Sequence, residues 1–322
     1  MKTTNKIKLN LNQAVILSVT LIALSFMSGY LWAKNRNQTT GKSATTAEKT
    51  KIEITKTEKP ELTFYVMSFC PYGNQMEDLL RPVFDLIGNK AEIRPRYIFD
   101  KITNLAENCK LRTGDVTKCK DYVANKYFKT EAECAKAINE NYQACINPKN
   151  YIASGNNYYS SLHGRVEANQ NVREICAYNL ASDKKQWWDF IDNVNTNCDS
   201  KNADTCWEEQ AKKAGLDTAK ITECFNKDGI KLIEEEIALT DKYKIQGSPT
   251  VLVNNVNFPP EDAYTQDGKG SVTLGKVVIP QTEFRTPNAQ KEALCAGFKK
   301  APKECQTKIE SNTTGTASQG GC

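Results

Sequence analysis

The residues best suited to chemistry lie in the stretch Ser68-Phe69-Cys70-Pro71-Tyr72-Gly73, where a cysteine separates two patterns. Before it, residues 62–67 form an uncharged run typical of a buried strand. After it, apolar residues recur at helical spacing, at Met76, Leu79, Leu80, Val83, Phe84 and Ile87. Unpaired backbone N–H groups and the helix dipole at a helix start favour the thiolate, which is the reactive form of cysteine. We therefore predict that Cys70 is an exposed, activated nucleophile.

The elements on either side of Cys70 predict a βαβ unit. A strand is expected over residues about 61–68, a helix over about 73–88 and a second strand over 91–99. Arg94-Pro95 lies within the second strand, and proline cannot donate a hydrogen bond to a ladder. This strand is therefore expected at a sheet edge.

The remaining patterns complete an α/β fold. Residues about 104–242 have helical periodicity without a convincing strand, which indicates a helical block inserted between strands. Two apolar runs around Asn254-Asn255 predict a hairpin, and a second hairpin is expected within 271–280. Thr286-Pro287 then has the chemistry of a helix start, with an N-cap residue followed by proline.

Cys70-Pro71-Tyr72 at a strand–helix junction resembles the active-site turn of the thioredoxin and glutaredoxin superfamily. The element order resembles the thioredoxin-like fold, with a helical insertion as in its DsbA-like branch. Gly247-Ser248-Pro249-Thr250 resembles the loop that carries a cis-proline facing the active-site cysteine, and X–Pro bonds are those in which cis is accessible. The resemblance implies that Pro71, Tyr72, Ser248 and Pro249 bind an extended substrate. The superfamily normally has a second cysteine at the position of Gly73.

Two narrower resemblances cover the later part of the chain. Residues 162–167, Leu-His-Gly-Arg-Val-Glu, and the cysteines behind them resemble the helical region of the gamma-interferon-inducible lysosomal thiol reductase family. The match is partial, because Leu162 stands near the position at which that family's signature has a cysteine. Ala293-Leu294-Cys295-Ala296-Gly297-Phe298 through Cys305 resembles the lumenal region of plant vacuolar sorting receptors, which are binding proteins.

Twelve cysteines accompany a single histidine, and no Cys-x-x-Cys occurs. This set favours a disulfide framework in an oxidising compartment over metal binding, and we expect neither a metal nor another cofactor. Apart from Cys70 and Cys322, ten cysteines remain for five bridges. We favour three pairs, with the third following by elimination: Cys295–Cys305, Cys198–Cys206 and Cys176–Cys224.

The other four cysteines are Cys109, Cys119, Cys134 and Cys145. If residues 131–145 form one helix, the last two lie roughly 16 Å apart, which is too far for a bridge. They should therefore pair with Cys109 and Cys119, in an order that the sequence leaves open.

The N-terminal region predicts membrane attachment. Residues 14–33 are uncharged and long enough to span a bilayer, and lysines precede them. A cleaved signal peptide is the competing interpretation, but Leu31-Trp32-Ala33 matches a cleavage site poorly. The predicted organisation, with an extracytoplasmic C-terminal part, is a cytoplasmic N-terminus (1–13), an anchor (14–33), a flexible stalk (34–60), a thioredoxin-like domain (61–305) and a disordered tail (306–322).

Two function classes follow. In the first, the protein is a monothiol-type thiol–disulfide oxidoreductase acting on a disulfide-containing or extended polypeptide through Cys70. Release would then use a small thiol or a second cysteine of the chain, for which Cys322 is the candidate. In the second, the protein is a disulfide-braced module that binds polypeptides without turnover. A net charge of +5 without a Lys/Arg block argues against nucleic-acid binding.

Overall fold

The computed structural model describes residues 49–310 and residue 322. The predicted anchor lies outside them, and no helix in this part of the chain is long and apolar enough to cross a bilayer. The ten strands here are Lys49–Ile52 (β1), Glu61–Val66 (β2), Glu92–Tyr97 (β3), Asp100–Ile102 (β4), Ile152–Ser154 (β5), Asn157–Ser160 (β6), Thr250–Val253 (β7), Val256–Asn257 (β8), Ser271–Leu274 (β9) and Val277–Pro280 (β10).

Helices alternate with these strands along the described chain. The α-helices are Pro71–Ile87 (α1), Leu105–Thr113 (α2), Cys119–Ala124 (α3), Glu131–Cys145 (α4), Arg165–Leu180 (α5), Lys184–Asn197 (α6), Ala203–Lys213 (α7), Thr218–Tyr243 (α8) and Pro287–Ala296 (α9). The elements β2, α1 and β3 form the predicted βαβ unit, and α2 to α8 lie between β4 and β7.

The central sheet has the strand order β3-β2-β7-β8. Strand β2 pairs in parallel with β3 and antiparallel with β7, so it is central, and Leu62, Phe64 and Val66 are fully buried. Strand β3 carries Pro95 and lies at the edge, as predicted. The β7–β8 hairpin turns through Asn254 and Asn255, which both have positive φ angles, the geometry that asparagine tolerates in tight hairpins. This sheet confirms a thioredoxin-like α/β fold.

A second sheet has the order β1-β9-β10, and it corrects the stalk boundary. The hairpin expected within 271–280 is present as β9 and β10. Strand β1 lies within residues 34–60, which we assigned to a flexible stalk, yet it pairs in parallel with β9. Ile52 and Ile54 are each 8% exposed, and these two apolar side chains are the reason that the segment packs.

The inserted block is helical, as predicted, but it also contains strands. Strands β5 and β6 form a hairpin that pairs with β4, where we expected no strand between 104 and 242. Its strands have three and four residues, too few to show an alternating pattern. Two signals were nevertheless present, the aromatic pair Tyr158-Tyr159 and the turn residues Gly155-Asn156.

Six disulfides brace the described chain, and none of its cysteines is free. Three of them are the pairs favoured from the sequence, Cys176–Cys224, Cys198–Cys206 and Cys295–Cys305. The order that the sequence left open is Cys109–Cys145 and Cys119–Cys134. The sixth joins Cys70 to Cys322.

An aromatic cluster joins the insertion to the central sheet. Trp187 and Trp188 of α6 are fully buried, and their ring centroids lie 4.9 Å apart. Trp188 stacks on Phe64 of β2 at 5.9 Å, and Tyr178 of α5 meets Trp187 edge-on at 5.6 Å. The insertion therefore shares its core with the strand that leads to Cys70.

Part of the predicted disordered tail is ordered. Asn288 of α9 accepts a hydrogen bond from the backbone N–H of Ile309, and the buried Lys291 donates to the carbonyl oxygen of Thr307 at 2.9 Å. Residues 311–321 lie outside the described chain. Cys322 is held in place by its disulfide to Cys70.

If β1 belongs to the folded domain, Ile52→Ala should lower the free energy of unfolding by about 2 kcal/mol, because a buried branched side chain is removed. Urea unfolding followed by tryptophan fluorescence measures the change. Lys51→Ala is the matched control in the same strand. Because the Lys51 side chain is exposed, this substitution should change the free energy of unfolding by no more than about 0.5 kcal/mol. Equal effects of the two substitutions would contradict the packing of β1.

Candidate functional site

Cys70 lies at the junction of β2 and α1 and is the N-cap residue of that helix. Its Sγ atom accepts a hydrogen bond from the backbone N–H of Gly73 at 3.4 Å, and Pro71 occupies the first helical turn, where its missing N–H is tolerated. The predicted position at a helix start is therefore present. The predicted exposed thiol is not, because Cys70 is fully buried and bonded to Cys322.

The cis-proline loop faces the same sulfur. The Ser248–Pro249 peptide bond is cis, and the Ser248 carbonyl oxygen lies 3.7 Å from Cys70 Sγ. The Thr250 hydroxyl donates to the Gly247 carbonyl at 2.7 Å and holds the loop in its turn. The structure thus brings together Cys70 and Ser248 from segments about 180 positions apart in the chain.

Cys322 pairs with this loop through its backbone as well as through its sulfur. Its N–H donates to the Ser248 carbonyl at 2.8 Å, and its carbonyl accepts from the Ser248 N–H at 3.1 Å. Two residues that exchange both hydrogen bonds are a hydrogen-bonded pair of antiparallel strands. Cys322 therefore occupies the backbone edge of the loop in the manner of a short added strand.

Gly73 stands where the superfamily has its second cysteine, and the space beside it is filled. A Cβ atom at this position would lie 2.8 Å from Ser248 Oγ and 3.4 Å from the Met67 carbonyl. Real Cβ atoms do not approach that closely, so any side chain at 73 would require Ser248 to move. The second sulfur near Cys70 is supplied instead by Cys322.

Helix α5 holds the two residues that precede Cys70. Asn171 accepts from the backbone N–H of Ser68 at 3.0 Å, and Glu167 accepts from that of Phe69 at 2.9 Å. Ser68 Oγ lies 2.6 Å from Asn171 Oδ1 and 2.8 Å from Glu174 Oε2. These three α5 residues recur at i, i+4 and i+7, so they lie on one face of the helix.

The Glu174 carboxyl keeps its proton to a higher pH than an exposed carboxyl does. Burial raises its pKa to about 7, while hydrogen bonds from Gln170 and Ser68 oppose the shift. Ser68 has one hydroxyl proton and faces two acceptors, so a protonated Glu174 can donate to Ser68 Oγ while Ser68 donates to Asn171. Burial and the neighbouring Glu174 also raise the pKa of Glu77, which lies in α1.

His163, the single histidine, joins the same network. Its backbone N–H donates to Glu167 at 2.7 Å, and its ring nitrogen Nδ1 lies 3.1 Å from the same carboxylate. The hydrogen bond with Glu167 raises the pKa of His163, against the effect of burial. Glu167 thus connects a partly exposed imidazole to the backbone beside Cys70.

The remaining predicted site residues lie around this centre. Tyr72 is half-buried, and the Arg285 guanidinium carbon lies 5.8 Å from its ring centroid. No group of three or more metal-ligating side chains occurs among residues 49–310 and 322. Sequence reasoning missed Asn171 and Glu174, for which the only signal was a polar series on one face of a helix.

These features define a disulfide-braced, thioredoxin-like domain, and comparisons with known proteins agree. Residues 118–261 match the model of the vacuolar sorting receptor thioredoxin-like domain. Vacuolar-sorting receptors 5 and 4 of Arabidopsis thaliana are 26% and 28% identical to this chain over 195 and 196 residues. Each match covers 55% of this chain and 28% of the receptor, so the chain spans less than a third of their length.

The predicted resemblance to the lumenal region of plant vacuolar sorting receptors is thereby confirmed. The crystal structure of a "putative protein disulfide isomerase from Nitrosomonas europaea" aligns with 74% of this chain and 96% of its own chain. The sequence identity is 12% and the TM-score is 0.37. The resemblance to the lysosomal thiol reductase family stays a prediction. Six disulfides and a thioredoxin-like domain fit an oxidoreductase or a binding module outside the cytoplasm.

The raised pKa of Glu174 predicts a pH dependence of stability. An unfolded carboxyl loses its proton near pH 4.3, whereas the folded one keeps it to about pH 7. Stability should therefore fall as the pH rises between these values and stay reduced above them. Glu174→Gln, which mimics the protonated form, should reduce the difference in unfolding free energy between pH 5 and pH 8.

Urea unfolding at both pH values measures this difference. Glu223→Gln is the matched control, because Glu223 is an exposed carboxylate of α8 and should leave the difference unchanged. Glu77 remains in the Glu174 variant, so part of the pH dependence should persist. An unchanged difference in Glu174→Gln would show that this carboxyl ionises normally.

Proposed function

We propose that this protein carries out thiol–disulfide exchange on extended polypeptides through Cys70, with Cys322 as the second sulfur. The observation that supports it is the Cys70–Cys322 disulfide combined with the two backbone hydrogen bonds between Cys322 and Ser248. This arrangement has the form of a mixed disulfide between a reactive cysteine and a bound strand, with the strand supplied by the chain itself.

The reaction begins from the reduced protein. The Cys70 thiolate attacks one sulfur of a substrate disulfide, forms a mixed disulfide and releases the other substrate sulfur as a thiolate. The Cys322 thiolate then attacks Cys70 Sγ, which forms the Cys70–Cys322 bond and releases the second substrate thiolate. Two electrons pass from the protein dithiol to the substrate, and an external dithiol reductant restores the protein.

The surroundings of Cys70 favour its role as the nucleophile. The Gly73 N–H already points at Sγ, and the start of α1 places partial positive charge there. A hydrogen bond to the charged form lowers the free energy of a thiolate. When Cys322 leaves, the carbonyl and N–H of Ser248 become available to a substrate strand, which supplies main-chain affinity without side-chain specificity.

A second candidate function is polypeptide binding without turnover. The observation in its favour is that the receptor-domain match, residues 118–261, includes Ser248 and the α5 residues but neither Cys70 nor Cys322. In this alternative the disulfide is a permanent brace. Membrane attachment through residues 14–33 stays a prediction under either function.

Exchange should depend differently on the two cysteines. In a coupled assay with a disulfide-linked peptide and a dithiol reductant, Cys70→Ser should lower the initial rate at least about a hundredfold, because the attacking sulfur is lost. When the pre-reduced Cys322→Ser variant meets the peptide after the reductant has been removed, it should accumulate a mixed disulfide between Cys70 and the peptide, visible by mass spectrometry of the intact protein. A small thiol added afterwards should release the peptide.

The double substitution of Cys198 and Cys206 by serine is the matched control, since it also removes one disulfide but lies between α6 and α7. It should retain the exchange rate. A Cys70–Cys322 bond that resists millimolar dithiol in the folded protein, together with peptide binding and no exchange, would exclude the oxidoreductase and support the binding module.

A further inference from the structure

A cavity of about 240 Å³ is lined in part by the Ser248–Pro249 turn, and the rest of its wall has no part in the exchange reaction. Residues 243–251 form one part of its wall, and Met76 of α1 and Gln290 of α9 contribute others. The cavity therefore lies against the loop whose backbone edge Cys322 occupies.

The hydrogen-bonding pattern at Ser248 determines which part of a bound chain reaches this cavity. Cys322 and Ser248 form an antiparallel pair, so the residue after a bonded cysteine lies opposite Gly247 and the next one opposite Gln246. Residues before the cysteine lie opposite Pro249 and Thr250. A polypeptide that continues beyond its cysteine thus runs along the cavity wall formed by residues 243–247.

Gly247 permits this path. A Cβ atom on residue 247 would lie 2.7 Å from the Cys322 carbonyl oxygen. That carbonyl is the point from which a longer chain would continue. The absence of a side chain at 247 therefore leaves room for a peptide backbone to pass.

The charges on the cavity wall favour an anionic group. Three charged side chains line it, and two of them, Lys244 and Glu261, are exposed. Arg285 is half-buried beside Tyr264 and Tyr72; burial lowers its pKa, but a guanidinium stays charged at neutral pH. A partly desolvated guanidinium gains more from a carboxylate than an exposed one does, because water screens it less.

We propose that this cavity is a specificity subsite, which receives an acidic side chain from one of the two residues that follow the bonded cysteine of a polypeptide substrate. The proposal rests on the exchange function and adds a substrate class to it, namely polypeptides with aspartate or glutamate directly after the reactive cysteine. Arg285 supplies the positive charge for the acidic side chain. The lack of a side chain at Gly247 leaves room for the substrate backbone, and pairing with Ser248 sets which substrate residues lie along the cavity.

The test uses three peptide disulfides that differ only in the two residues after the cysteine, Glu-Glu, Gln-Gln or Lys-Lys, with acetylated and amidated ends. Initial exchange rates with the full chain should be about tenfold higher for the glutamate peptide than for the glutamine peptide. A ratio of this size is what one additional charge-assisted hydrogen bond to the substrate provides. Arg285→Met should bring this ratio close to one. Arg112→Met, an arginine outside the cavity wall, should leave the ratio unchanged.

The outcomes separate the subsite from the reaction. Equal rates for all three peptides, or a preference for lysine through Glu261, would overturn the acidic subsite while exchange itself stands. No exchange with any peptide would overturn the proposed function. The comparison of peptides on the unsubstituted chain decides the question even if Arg285→Met fails to fold.

Discussion

The hydrogen bonds between α5 and the two residues before Cys70 are the interaction on which the rest of the site depends. Asn171 and Glu167 accept the backbone N–H groups of Ser68 and Phe69. A buried N–H without an acceptor costs about 1–3 kcal/mol, so these side chains determine where the chain leaves β2 and enters α1. That turn places Cys70 at the helix start and its sulfur 3.7 Å from the Ser248 carbonyl.

The insertion is therefore a structural part of the site. Helix α5 carries the acceptors, α6 buries two tryptophans against β2, and the Cys176–Cys224 bridge joins α5 to α8. Residues 118–261, which match the receptor domain, contain α5, α6, α8 and the cis-proline loop, but not β2. The segment that matches the receptor domain therefore includes the Ser248 loop and the helix that supports the turn before Cys70, but neither Cys70 nor Cys322.

In the proposed exchange function, a substrate strand and Cys322 compete for one backbone edge. Ser248 can pair with Cys322 or with a foreign strand, but not with both, because each of its two polar groups already has a partner in Cys322. Under that proposal, reduction breaks the Cys70–Cys322 bond, and departure of Cys322 then frees the Ser248 backbone groups.

Local patterns in the sequence determined the βαβ unit, the edge position of β3, the β7–β8 hairpin and two of the disulfides, because each depends on neighbouring residues or on short loops; Cys176–Cys224 followed only by elimination. They did not determine that residues 49–54 pack, since Ile52 and Ile54 are too few for a periodic signal. Only the tertiary structure decided that Ser248 fills the space beside Gly73, that Asn171 and Glu174 support Ser68, and that Cys322 bonds Cys70. These contacts join segments about 100 to 250 residues apart, and no local pattern specifies which distant backbone will meet a given side chain.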